Sequence, residues 1–198
     1  MKQERTTPRF ILLLALIFVA GAMRVPNAAQ VTSWANFSPV GAMALFGGAY
    51  LSPWWKAILF PLATLFIGDL AISLWIFEGK YGVLYGGWYW IYGIFIVVVL
   101  LGRWLLQNIT VRNVLTASVL GCITHWLLSD LMVWLGGGTD LRTMQPLSRD
   151  LDGLIQCYMQ GFPFMRNFLL GTLVYSGILF GGFELMKARI PQLQRRQA

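Results

Sequence analysis

Residues 36–51 read NFSPVGAMALFGGAYL. A polar segment, Asn36-Phe37-Ser38-Pro39, opens into an apolar run rich in small residues: Gly41, Ala42, Ala44, Gly47, Gly48 and Ala49. Small side chains let helix backbones approach closely, and within lipid such contact replaces the hydrophobic drive to associate. The run is shorter than the roughly 20 residues that cross a bilayer comfortably. A short, Gly-rich helix that starts at a proline is best buried among others. The expectation is a central helix around which the rest pack, with Asn36 and Ser38 at the edge of a polar pocket.

The remainder of the chain agrees with a membrane setting. Of 198 residues, 57% are hydrophobic and 12% charged, where a soluble domain has about 25% charged. Mean hydropathy is +0.63. Long continuous apolar runs, without strand-like alternation, exclude an outer-membrane barrel and give an all-α integral membrane protein. Six spans are drawn, at 10–23, 37–51, 54–77, 83–106, 113–135 and 164–186, in one membrane domain covering 1–198. The first has a basic start, an apolar run and Ala20-Gly21-Ala22, which is also the pattern of a cleavable signal peptide.

With six spans both termini lie on one side. That side carries ten of the 15 basic residues: Lys2, Arg5, Arg9, Lys56, Arg103, Arg112, Lys187, Arg189, Arg195 and Arg196. The other carries Arg24, Lys80, Arg142, Arg149 and Arg166. The bias predicts cytoplasmic termini. The net charge of +7 is explained by these loops and tails, and no nucleic-acid partner is implied. Cys122 and Cys157 show neither a disulfide framework nor metal spacing.

The connection 136–163 opens with three glycines, Gly136 to Gly138, and closes on a Phe162-Pro163-Phe164 turn. Its second half, LDGLIQCYMQGF, has rough helical spacing. It is expected to form a short helix lying as a lid over the outer mouth.

Polar residues within the spans are the functional candidates. Asp69 lies eight residues before Phe77, about 12 Å below the end of span three, where an ionisable group is costly and marks a site by default. The competing reading is a structural carboxyl capped by a hydroxyl, amide or Arg. His125 and Asp130 lie in span five. His125 and Ser129, four apart, share a face and can hydrogen-bond. A lone membrane His is commonly a satisfied interhelical contact. Tyr81, Tyr85, Trp88, Tyr89, Trp90 and Tyr92 crowd the start of span four, mostly as an interfacial belt. Tyr85 and Tyr89, at i and i+4, are read as sharing a face toward a pocket. Arg24 reads as a snorkelling side chain at the surface, and Arg166 as a residue at the start of span six that competes for a ligand-binding role.

These residues come from every span and fall in one half of the membrane. That asymmetry points to a pocket open to the outside. A channel would need polar groups along its whole length, and a proton relay would need carboxylates at successive depths. No nucleophile–base pair, phosphate loop or metal cluster occurs, so neither an enzyme nor a cofactor is indicated. Cys157 with His125 is the sole pair an intramembrane enzyme could use. The predicted ligand-binding set is Asn36, Ser38, Asp69, Tyr85, Tyr89, His125, Asp130 and Arg166.

Arg24-Val25-Pro26, NFSPVGAMALFGGAYL, Asp69, the VLYG of Val83 to Gly86, and FPFMRNFLLGTLVYSGILFG near the end resemble a family of small bacterial membrane proteins. That family is related to the S components of energy-coupling factor (ECF) vitamin transporters and includes BtuM-type cobalamin transporters. The resemblance spans 24–185. It implies a six-helix S-component fold with an outward-facing vitamin site bordered by Asp69, Tyr85 and an Arg, for which Arg149 and Arg166 compete. It implies cobalamin or a related corrinoid as ligand and an energy-coupling module as partner. Three departures stand out. BtuM-type proteins place a cobalt-ligating Cys after span three, where this chain has Lys80 and no Cys. A His that follows the Arg-x-x-Pro-like segment in relatives is replaced by Asn27. Ala15, Ala20 and Ala22 do not fit the Ala-x-x-x-Ala docking motif of S components. A non-transporting assembly or subunit protein, with purely structural polar contacts, is the alternative.

Overall fold

The computed structural model describes residues 7–24, 36–80 and 82–194. Val25, Pro26 and Asn27 of the resemblance motif, Tyr81, and the tail residues Lys2, Arg5, Arg195 and Arg196 lie outside them. The elements are α1 (Pro8–Ala22), α2 (Val40–Tyr50), α3 (Trp54–Ala71), α4 (Trp88–Leu105), α5 (Val111–Leu135), a hairpin of β1 (Thr139–Asp140) and β2 (Gln145–Pro146), α6 (Leu151–Ser176) and α7 (Gly182–Arg189). α3 widens to π geometry over Ile72–Ile76, and α6 does so over Gly177–Gly181, running on into α7.

α2 is the axis. Every residue from Val40 to Gly48 is buried, and α2 touches each of the other helices from α1 to α6. Its glycines make this possible. A Cβ on Gly48 would strike the Val99 carbonyl and the Arg103 amide of α4, and one on Gly102 of α4 would strike the Leu45 backbone. The two backbones therefore lie in direct contact, as small residues permit in lipid. Gly47 similarly seats the ring of Pro61, which lies inside α3.

Four helical segments are long and apolar enough to cross a membrane: Trp54–Ile76, Trp88–Leu105, Val111–Leu135 and Leu151–Arg189. The protein is an all-α membrane protein. The first two expected spans form shorter apolar helices, of 15 and 11 residues. At 1.5 Å per residue these cover about 22 and 16 Å, against a hydrocarbon core of about 30 Å. α1 is packed into the bundle: Ala20 and Gly21 are buried, and a Cβ on Gly21 would meet Thr64 of α3 and Met43 of α2.

The expected lid is absent in that form. α6 begins at Leu151 rather than 164, and its helical path continues for 39 residues to Arg189. Pro163 lies inside the helix and does not end it. Proline removes one backbone hydrogen bond, and a packed neighbour can hold the helix across that loss. Here α5 lies along it: the Tyr158 hydroxyl donates to Leu127 O at 3.1 Å, and Cys157 Sγ to Asp130 O at 3.3 Å. The hairpin is clamped to the same helix by Gln160, which accepts from Leu141 N at 3.2 Å and donates to Thr139 O at 2.9 Å. Asp150 caps α6, accepting from Gly153 N at 2.9 Å and Ser148 Oγ at 2.6 Å.

The two ends of the bundle differ. At the end bearing the start of α1, the rings of Phe46, Tyr50, Phe180 and Phe183 pack on one another. Tyr50 donates to Glu184 Oε1 at 2.6 Å, Glu184 pairs with Lys187, and Arg9 donates to Leu193 O at 2.7 Å. The opposite end holds a cavity.

Candidate binding cavity

The cavity occupies about 620 Å³, within the range of small-molecule sites. Each helix from α1 to α6, or the chain flanking it, contributes to its wall. Arg24 follows α1; Asn36, Phe37 and Ser38 precede α2; Leu65, Asp69, Ile72 and Ser73 come from the end of α3; Leu84 and Tyr85 precede α4, which adds Ile91 and Phe95. α5 supplies His125, Trp126, Ser129 and Asp130, and α6 supplies Gly161, Phe164, Met165 and Phe168. The spacings within α5 and α6 put each set on one helix face. Of the connection 136–163, only Gly161 reaches the wall.

Asp69 is fully engaged. Arg24 donates to Oδ1 and forms an ion pair with it, and Tyr92 Oη donates to Oδ2 at 2.8 Å. Arg24, read from sequence as snorkelling yet grouped with the residues of the outer pocket, turns inward to this carboxylate. Burying a carboxylate demands such partners. What Asp69 presents to the cavity is thus a neutralised pair. The end of α3 is tied to the turn before α4 by the Ser73 hydroxyl, which donates to Gly82 O.

His125 packs against the rings of Phe95 and Phe168, at centroid distances of 5.1 and 4.7 Å. The expected His125–Ser129 hydrogen bond is not formed. The Ser129 hydroxyl donates to Trp126 O at 3.1 Å, one turn back along its own helix, which satisfies it without leaving α5.

Asp130 differs from Asp69. Its Oδ1 has a 3.4 Å contact from Ser129 Oγ, while Oδ2 is buried with no hydrogen-bond partner. Trp126 Nε1, one turn away on the same face, is also buried outside hydrogen-bond geometry, and it lies beside the same carboxylate. A Cβ on Gly161 would collide with the Asp130 carboxylate, so glycine at that position of α6 makes the space the carboxylate occupies.

Six of the eight residues singled out in the sequence line this cavity: Asn36, Ser38, Asp69, Tyr85, His125 and Asp130. Tyr89 and Arg166 do not. The i, i+4 argument for Tyr85 and Tyr89 needs a helix from residue 83, but α4 starts at Trp88. The preceding turn runs through left-handed glycines at Gly82 and Gly87, so the two tyrosines share no helix face. Tyr85 enters the wall from that turn, where burial, and then the Asp69 charge, push its hydroxyl up to about 12. Tyr89 is 57% exposed. Arg166 is exposed on α6, on the side away from Gly161, Phe164, Met165 and Phe168. Arg149 donates to Trp134 O at 2.6 Å and is not part of the wall. Cys157 is buried between α5 and α6 rather than in the cavity.

Sequence reasoning passed over Trp126, Phe95 and Phe168. Trp126 had a legible signal, since it stands at i, i+4 from Asp130. The two phenylalanines had none, because a cavity-lining Phe and a core Phe look the same in sequence. Among the described residues no group of three or more His, Cys, Asp or Glu is placed to hold a metal ion.

No curated protein and no solved structure matches the chain. A family model does match, over residues 4–193. By that match the chain belongs to DUF6580, a family of unknown function.

Proposed function

We propose that the protein is a six-span transport protein of the bacterial inner membrane that captures a vitamin-like small molecule. The observation that carries this reading is the cavity of about 620 Å³ at one end of the bundle, walled by α2 to α6 and by Arg24 beyond α1. A protein built only to hold its helices together gains nothing from an aromatic-lined space with an unpaired carboxylate oxygen. The excess of Lys and Arg on the opposite side supports an outward-facing mouth. On the S-component resemblance, movement across the bilayer draws energy from a coupling module or a gradient. Neither cofactor nor chemistry on the ligand is part of the proposal.

The cavity volume favours a drug-sized ligand over a whole corrinoid, which would extend well beyond the walls. The reading of the chain as an assembly or subunit protein draws support from one observation, the fully satisfied Asp69. The test is binding to detergent-purified protein by a vitamin panel that includes cobalamin and cobinamide, repeated with Trp126→Ala. Saturable binding of one compound, weakened about tenfold or more by loss of the indole, is expected. Absence of binding by the whole panel, with the variant and parent indistinguishable in every assay, favours the subunit reading.

A further inference from the structure

The charges in the wall do not balance. Among the described residues the cavity is lined by one guanidinium, Arg24, and two carboxylates, Asp69 and Asp130. The segment 25–35 and residue 81 contain no Lys, Arg, Asp or Glu, so the adjoining chain cannot alter that count. Arg24 and Asp69 neutralise one another, and Tyr92 takes the second Asp69 oxygen. One negative charge remains, on Asp130.

Asp130 is also the carboxylate with bonding capacity left. Its Oδ2 is packed against Gly161 with no hydrogen bond, and its Oδ1 has only the 3.4 Å contact from Ser129. The wall around it is aromatic. Trp126 precedes it by one turn on the same face, with Phe164 and Phe168 on the facing helix and Phe95 from α4. The Trp126 ring is braced edge-on by Tyr158 and Phe162, at 5.5 and 6.0 Å, which fixes its orientation. Aromatic faces attract cations, most strongly where water is excluded. An anion meets the reverse arrangement: to reach Arg24 it must displace Asp69, and it must lie near Asp130 while doing so.

Resting on the reading of the cavity as a capture site, we infer that its ligand is an organic monocation, a quaternary or protonated amine on an apolar body. Asp130 is the counter-ion and Trp126 the aromatic face beside it. Gly161 is the specificity-determining residue opposite, because a side chain there would push the carboxylate out of its place.

Charge-selective thiol labelling tests this without knowing the ligand. In a Cys122→Ala, Cys157→Ser background, a single reporter is placed in the wall as Ser129→Cys and, independently, as Phe164→Cys. At pH 8, where an ordinary His is uncharged, each purified full-length variant is treated with three methanethiosulfonate reagents: trimethylammonium-ethyl, sulfonato-ethyl and neutral methyl. Rates are normalised to those of the same reagents with mercaptoethanol. The expected result is a cation-over-anion preference of about tenfold or more at both positions, collapsing toward unity when Asp130→Asn is added. A preference for the anionic reagent, or a ratio that Asp130→Asn does not move, overturns the inference while leaving a reachable capture cavity. If no reagent reaches either position, including the neutral one, the capture reading falls and the inference falls with it.

Discussion

The two ends of the bundle are built from the same kinds of residue and come out opposite. At the closed end Phe46, Tyr50, Phe180 and Phe183 fill the space between helices, and the carboxylate there, Glu184, is held by Tyr50 and Lys187. At the cavity end Phe95, Trp126, Phe164 and Phe168 surround space instead of filling it, and Asp130 keeps an unpaired oxygen. Composition alone therefore does not separate core from site. The difference lies in how close the helices come and in whether each polar atom has a partner. Toward the closed end, Gly48 and Gly102 hold α2 and α4 backbone to backbone. Toward the cavity, Asn36 to Ser38 and the Gly82 to Gly87 turn replace helix, and the walls separate.

That contrast can be broken most severely at its pivot. Gly48→Val places a branched side chain against the Val99 carbonyl and the Arg103 amide, atoms that cannot move without displacing a helix. A loss of more than about 3 kcal/mol is expected, seen as absence of a monodisperse peak on size exclusion in detergent. A folded Gly48→Val protein with an unchanged melt would show that the α2–α4 contact is looser than described.

Next comes the paired carboxylate. Arg24→Ala leaves Asp69, 5% exposed, with Tyr92 alone. Removing one partner of a buried pair costs about 3–5 kcal/mol. The double change Arg24→Met with Asp69→Leu should recover most of that loss in a thermal melt. A double variant as unstable as Arg24→Ala would mean that the pair contributes more than the relief of its own desolvation.

The unpaired carboxylate should behave in the opposite sense. Asp130→Asn is expected to keep stability within about 1 kcal/mol of the parent, or to raise it, because it removes a charge with an orphaned oxygen. A melt lowered as far as that of Arg24→Ala would erase the distinction between the two carboxylates.

The smallest effect is expected at the Asp150 cap. Hydrogen bonds from the Ser148 hydroxyl and then the Gly153 amide hold the Asp150 carboxyl below its ordinary value. A carboxyl held low stabilises the folded state above its unfolded value and loses that contribution as pH falls through the folded one. The first turn of α6 should therefore lose amide-exchange protection, measured against the unstructured rate at the same pH, below about pH 4, near the ordinary carboxyl range. Asp150→Ala should show the low protection at neutral pH, and protection in the parent protein that does not change with pH would remove the cap from the account.

Much of this was legible beforehand. The membrane class followed from charge and hydropathy, and the central place of α2 from the small residues between Gly41 and Ala49. Asp69, His125 and Asp130 were found because a polar atom inside a membrane always needs a reason. What escaped were statements about direction. Whether Arg24 points out to headgroups or in to Asp69 depends on a partner 45 residues away. Whether Tyr89 shares a face with Tyr85 depends on left-handed glycines in the turn. Pro163 reads as a stop, yet α5 packs alongside and the helix continues through it. Local patterns identify which groups matter; tertiary neighbours decide where those groups face.

The unbroken course from Leu151 to Arg189 has a mechanical consequence. Its 39 residues measure about 58 Å at 1.5 Å per residue, close to twice the hydrocarbon thickness. One continuous helical path thus bears the Gln160 clamp, the Gly161 wall and, at its far tip, the Glu184 and Lys187 contacts. Were it to tilt as one body, each degree would displace one tip relative to the other by about 1 Å. Cavity wall and closed end are in this way joined by one helical path, with no loop between them to absorb a shift.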